Sequence, residues 1–149
     1  MSRKIKLENL KRFCTKTLEK AGMRGDYAEI TAEVLAETDA FGTHSHGTKN
    51  LFGYIKKAQV GGMEMNAEPR ILKEGDSYAL MDAGHGIGMV VSCKAMELAC
   101  RKAKKTGIAI VTVKNSTHFG AAGYYANMAA REGCFGIALS NVDPNMTVP

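Results

Sequence analysis

No apolar run in this 149-residue sequence approaches the ~20 residues needed to span a bilayer, which excludes a helical membrane span. No C-x-x-C pair occurs. Cys14, Cys93, Cys100 and Cys134 are too scattered for a zinc knuckle or a thioredoxin-type motif. Cys93 and Cys100 fall two turns apart on a helix, too far for an easy disulfide, so buried reduced thiols are expected. No apolar segment follows the basic Met1–Lys6 stretch, so no secretory leader is read and a cytoplasmic location is expected. Internal repeats and low-complexity segments are also missing. The formal charge is +5, but its densest basic run, Arg101-Lys102-x-Lys104-Lys105, has no interleaved aromatics. It closes a helical pattern, where cations complement the helix dipole, so neither a nucleic-acid nor a membrane partner is expected.

What remains is ordinary globular composition, with 45% hydrophobic and 23% charged residues. Leu7, Leu10, Phe13, Leu18 and Ala21 recur at helical spacing, and Gly22 stops the pattern. Asp26 reads as an N-cap, with Glu29 three residues on. Ile30, Val34 and Leu35 form the next stripe, broken at Gly42. A third helix is expected from about Ser45, carrying Leu51, Phe52, Ile55 and Ala58 up to Gly61-Gly62. Residues 1–62 are therefore read as a helical region and 63–149 as the start of an α/β domain. Within the latter, Ile71-Leu72 and Tyr78–Asp82 read as extended, with a turn at Glu74-Gly75-Asp76. A helix with Val91, Ala95, Met96, Ala99, Cys100 and Ala103 inward closes at Gly107. The apolar run Ile108–Val113 suits a strand covered on both faces. A helix over about Ala121–Arg131 and a strand Phe135–Ser140 follow. The alternation is that of an α/β sheet. The sheet is expected to be incomplete, because nothing covers the last strand, and the chain reads as a fragment.

Three constellations bear on chemistry. Gly84-x-Gly86-x-Gly88 follows a strand and precedes a helix, but it is not G-x-G-x-x-G. The position of the ribose-binding acid falls among Ala103-Lys104-Lys105. A turn needing glycine's backbone freedom is the better reading. Thr43-His44-Ser45-His46-Gly47 contains a His-x-His pair without a further ligand at suitable spacing, so no metal is assigned. Ser45 and His46 at a helix start would instead cap it, face an anionic group, or orient a proton. Asn115-Ser116-Thr117-His118-Phe119-Gly120-Ala121-Ala122-Gly123 lies beyond a strand's carboxyl end and opens a helix, where α/β sheets bind ligands. Oxidising an alcohol by hydride transfer needs a group to take the hydroxyl proton, and an imidazole titrates in the right range.

Three stretches resemble the malate/L-lactate dehydrogenase family, also called sulfolactate dehydrogenase-like, which includes ureidoglycolate dehydrogenases. They are Asp39–Gly47, Asp82–Gly88 and Val113–Tyr125, and Gly136–Asn141 is similar too. The resemblance implies an α/β nicotinamide-binding fold that is not Rossmann. It also implies NAD or NADP as cofactor, a small 2-hydroxy or 2-oxo acid as substrate, and a homodimer about twice as long per chain. It makes His118 the proton acceptor/donor and adds Ser45 and His46 as a relay pair. Asn50 and Thr117 stand at substrate positions. Cofactor contacts fall on His118, Phe119, Gly120, Ala121 and Ala122, and on Ser140, Asn141 and Val142. One departure stands out: relatives often carry arginine where this chain has Asn50, and Asn50 offers no guanidinium fork for a substrate carboxylate. Two alternatives stay open: an inactive fragment serving only in folding or dimerisation, and, more weakly, a His-x-His metallohydrolase.

Overall fold

The computed structural model describes residues 4–141. Helices α1 (Leu7–Lys20) and α2 (Gly25–Ala40) form an antiparallel hairpin, turned at Gly22 with φ +99°. The inward stripe of α1 runs through Leu10, Cys14 and Leu18, spaced four residues apart. Phe13, expected on that stripe, lies beside it and is 61% exposed. Lys11 ties the two helices, reaching Glu33 at 2.9 Å and Glu37 at 2.8 Å. Helix α2 starts at Gly25 after the extended residue Arg24, so Asp26 is not its cap. Asp26 sits in the first turn instead and receives the Arg24 guanidinium at 2.6 and 2.7 Å. Val34, Leu35 and Ala36 are all fully buried, which makes α2 the central helix.

No helix begins at Ser45. The backbone makes two short 3₁₀ turns, His44–His46 and Thr48–Asn50, before α3 (Leu51–Gln59). Leu51, Tyr54 and Ile55 face the core, whereas Phe52, expected inward, is 73% exposed.

Strands β1 (Arg70–Glu74) and β2 (Tyr78–Asp82) form an antiparallel pair, with a bulge between Ile71 and Lys73. Helix α4 (Gly88–Thr106) then crosses to β3 (Ile110–Lys114), which pairs parallel to β2, giving the order β1-β2-β3. Ala79, Met81, Val111 and Val113 meet Val91, Ala95 and Leu98 of α4 on one sheet face. Among the described residues the other face is open. Strand β3 is therefore covered on one side only, and Ile110 is 64% exposed. Helix α5 (Ala122–Arg131) follows.

Residues 135–140 form no strand. They keep the two-residue alternation of extended chain. Ala138 packs on the core, while Phe135, Ile137 and Leu139 point outward at 93%, 66% and 86% exposure. The pattern is that of a strand, but no neighbouring backbone among the described residues supplies a ladder. The larger core joins α1–α3 to α4 and α5, running from Cys14 to Tyr125. No described helix is long and apolar enough to cross a membrane.

Candidate active site

Two aspartates set the loops that carry the three motifs. At the end of β2, the Asp82 carboxylate accepts the Gly84 N–H at 2.8 Å and the Asn115 side-chain amide at 3.1 and 3.2 Å. The Gly84 and Asn115 bonds, in that order, hold its carboxyl below the usual range. Gly84, His85 and Asn115 all take positive φ, so Asp82 pins two left-handed turns side by side. The glycine-rich turn serves packing. A Cβ on Gly88 would overlap the carbonyls of Thr117 and His118, so the start of α4 lies directly on the His118 loop. Thr117 closes this junction: its hydroxyl accepts the Gly88 N–H at 3.2 Å and donates to the Gly86 carbonyl at 3.0 Å.

Asp39, on the last turn of α2, holds the other motif. It accepts the Thr48 N–H at 2.9 Å and hydroxyl at 2.5 Å, and lies 3.2 Å from His44 Nδ1. Any side chain at Gly47 would strike this carboxylate. Burial opposes ionisation of Asp39, but the Thr48 and His44 bonds outweigh it and its carboxyl falls below the usual range. His44 is thereby turned to Asp39 while His46 turns to Ser45, whose hydroxyl lies 2.8 Å from His46 Nδ1. The His-x-His pair does not converge on one point. Asn50 donates its amide to the Ser45 carbonyl at 2.9 Å, so its side chain braces this same turn.

The loops bring His46 and His118 together, with ring centroids 5.4 Å apart and planes 26° apart. Tyr54 of α3 reaches the same imidazole, its hydroxyl 2.7 Å from His118 Nδ1. Burial, then the neighbouring His46 and Lys57, lowers the His118 pKa below the ordinary histidine value. Burial alone pushes the Tyr54 phenol up to about 12. Beside this cluster lies a cleft of about 540 Å³, lined by His46, by the Phe119–Tyr124 stretch at the start of α5, by Ser140, and by Thr38, Phe41, Thr43 and Asn127. Gly120, with φ +80°, turns the chain into it. Phe119 is fixed by stacking on Tyr125, whose hydroxyl donates to the Phe119 carbonyl. No side chain caps the N-terminus of α5.

Ser45, His46 and His118 thus form one cluster, and Phe119, Gly120, Ala121, Ala122 and Ser140 line the adjoining cleft. Asn141 is exposed at the end of the described residues, and Val142 lies outside them. Sequence reasoning missed Tyr54, which carries no local signature. It also missed the anchoring roles of Asp39 and Asp82, although both stand at the head of quoted motifs.

The malate/L-lactate dehydrogenase family model matches residues 5–149. A malate dehydrogenase of Pyrococcus abyssi is 45% identical over 141 residues, covering 95% of this chain and 39% of that protein. The NAD(+)-dependent ureidoglycolate dehydrogenase of Escherichia coli K12 is 35% identical over 146 residues, covering 98% and 42%. The solved structure of malate dehydrogenase from Pyrococcus horikoshii OT3 superposes with a TM-score of 0.85 at 42% identity, covering 88% of this chain and 38% of that one. The chain spans about two fifths of the length of the curated relatives it matches. With its helices, its small sheet and all three motifs in these places, the chain belongs to the malate/L-lactate dehydrogenase family.

Proposed function

We propose that this chain carries the proton-handling part of an NAD(P)-dependent dehydrogenase acting on small 2-hydroxy and 2-oxo acids. The observation that carries the reading is His118 held against Tyr54 and His46, next to a cleft walled by glycine-rich backbone. The names of its relatives agree with it, since malate and ureidoglycolate are both 2-hydroxy acids.

The residues present fit a nicotinamide nucleotide. Gly120 to Gly123 present backbone to the cleft, and the first N–H groups of α5 meet no side-chain cap, which favours an anionic or amide-bearing ligand there. Ser140 stands at the same cleft. When bound, the nicotinamide gives or takes the hydride. The chain's own task is the proton. Oxidising a 2-hydroxy acid releases one at the hydroxyl, and reducing a 2-oxo acid consumes one at the carbonyl oxygen. His118 is the group positioned to exchange it, and the Ser45–His46 pair lies stacked beside it as a path towards solvent. Asn50 supplies no guanidinium, so a substrate carboxylate must be held by other groups.

The test is oxidation of NADH and NADPH against a panel of 2-oxo acids. His118→Ala is expected to lower kcat by about 100-fold or more, and a variant that keeps full turnover refutes the role. A second reading, a module that only folds or dimerises, is favoured by the exposed Phe135, Ile137 and Leu139. Calorimetric titration with NADH separates the two, because stoichiometric binding counts against the module.

A further inference from the structure

Cys93 and Cys100 share one helix and are too far apart to join, but the fold sets Cys100 against a cysteine 34 positions further on. Cys100 lies on the second half of α4 and is 5% exposed. Helix α5 packs against α4, and beyond its end the chain reverses at Gly133, with φ +73°. The Cys134 N–H donates to the Ala129 carbonyl at 2.9 Å, which folds Cys134 back over the end of α5. There its side chain comes within hydrogen-bonding reach of the Cys100 thiol. Lys104, one turn on from Cys100, clamps the same corner by bonding Glu132 at 2.5 Å, and its ammonium acts electrostatically on both sulfurs. A groove of about 390 Å³ opens beside the pair, lined by Cys100, Arg101, Arg131 and Glu132. Cys134 is only half-buried, whereas Cys14 and Cys93 are enclosed in the larger core. Burial, then Cys134, raises the Cys100 pKa, so Cys134 is the sulfur that meets a reagent first.

We propose that Cys134 and Cys100 are a reversible dithiol site, with Cys134 the attacking and Cys100 the resolving cysteine, oxidised to a disulfide by low-molecular-weight disulfides. In the first step the Cys134 thiolate attacks one sulfur of the small disulfide. The small S–S bond breaks, one small thiol leaves, and a mixed disulfide forms on Cys134. The Cys100 thiolate then attacks the Cys134 sulfur and expels the second small thiol. Two cysteine thiols are thereby oxidised, the small disulfide is reduced to two thiols, and those thiols carry away the two cysteine protons. Lys104 assists the second step, because its charge favours the Cys100 thiolate once Cys134 is capped. The new bond ties the end of α5 to α4 and shortens the unfolded chain, so the oxidised form is the more stable one. An alkylating reagent leaves no exchangeable bond and therefore stops at Cys134.

The experiment equilibrates the folded chain with mixtures of oxidised and reduced glutathione, quenches with acid, and reads free thiols and intact mass. The native chain is expected to lose two of its four thiols without retaining glutathione. Digestion without reductant should then give one linked peptide pair, joining Cys100 to Cys134, which dithiothreitol separates. The oxidised chain should unfold at a higher urea concentration than the reduced one. Cys134→Ser is expected to keep its three thiols and show no such rise. Cys100→Ala is expected to stop at a glutathione adduct on Cys134, which a pair of unrelated cysteines would not do. A native chain that holds glutathione on Cys134, links Cys14 or Cys93, cross-links between copies, or keeps all four thiols under excess oxidised glutathione overturns the proposal. If Cys100→Ala fails to fold, the native peptide map and the half-buried Cys134→Ser variant still decide it. None of these readouts involves a nicotinamide nucleotide, so the dithiol site and the dehydrogenase reading stand or fall separately.

Discussion

At the scale of single residues, the proposed chemistry rests on His118 and the groups that bias it. Burial, then the neighbouring His46 and Lys57, lowers its pKa, so the neutral ring persists to lower pH than a free histidine allows. Removing a positive neighbour must raise that pKa. Lys57→Gln is expected to move the His118 titration upward, read from its ring proton shifts against pH; a downward shift would contradict the assigned electrostatics. His118, His46 and Ser45 were legible because they stand inside short, specific motifs. Tyr54 was not: it lies 64 positions from His118 and reads locally as one more apolar-face residue of α3. Asn50 was legible as a departure, but its use as a brace on the Ser45 carbonyl needed the turn geometry.

At the scale of elements, helices were read better than their ends. The long stripes on α1, α2 and α4 follow from 3.6-residue periodicity. The start of α2 and the 3₁₀ turns after Thr43 do not, because they are set by bonds outside the helical repeat, from Arg24 to Asn66 and Glu68 and from Thr48 to Asp39. The apolar run before Lys114 was read as a doubly covered strand, yet among described residues only α4 covers it. Apolar composition records what a strand is built to bury and not which neighbour buries it. The glycine-rich turn was read as a backbone necessity, and Gly88 shows its cause in the Thr117 and His118 carbonyls. Gly88→Ala should therefore destabilise the fold by about 1–3 kcal/mol, the usual cost of overpacking. Urea unfolding checks this, with no loss of stability as the contrary result. The same variant should displace the His118 loop, visible as amide shifts at residues 116–120.

At the scale of the whole molecule, one core links the N-terminal helices to α4 and α5, and the His118 cluster lies across it, with Tyr54 from one side and the β3–α5 loop from the other. That core encloses Cys14 and Cys93, whose thiols burial pushes up to about 11 and about 12. Cys100 is buried too and Cys134 only partly, so a thiol reagent should modify Cys134 first and reach the other three only on unfolding. Rapid loss of all four thiols from the folded chain would contradict the packing. The α/β class, the family and an incomplete sheet were legible in the sequence; the unpaired state of residues 135–140, with Phe135, Ile137 and Leu139 outward, was not, since the alternation looks the same with or without a pairing partner. The central claim is that the cleft beside His118 receives a nicotinamide nucleotide. Titrating NADH or NADPH into the ¹⁵N-labelled chain tests it most directly. Saturable amide shifts centred on Phe119–Tyr124 and Ser140 are predicted, and the absence of shifts there at saturating nucleotide, or their concentration elsewhere, would contradict it.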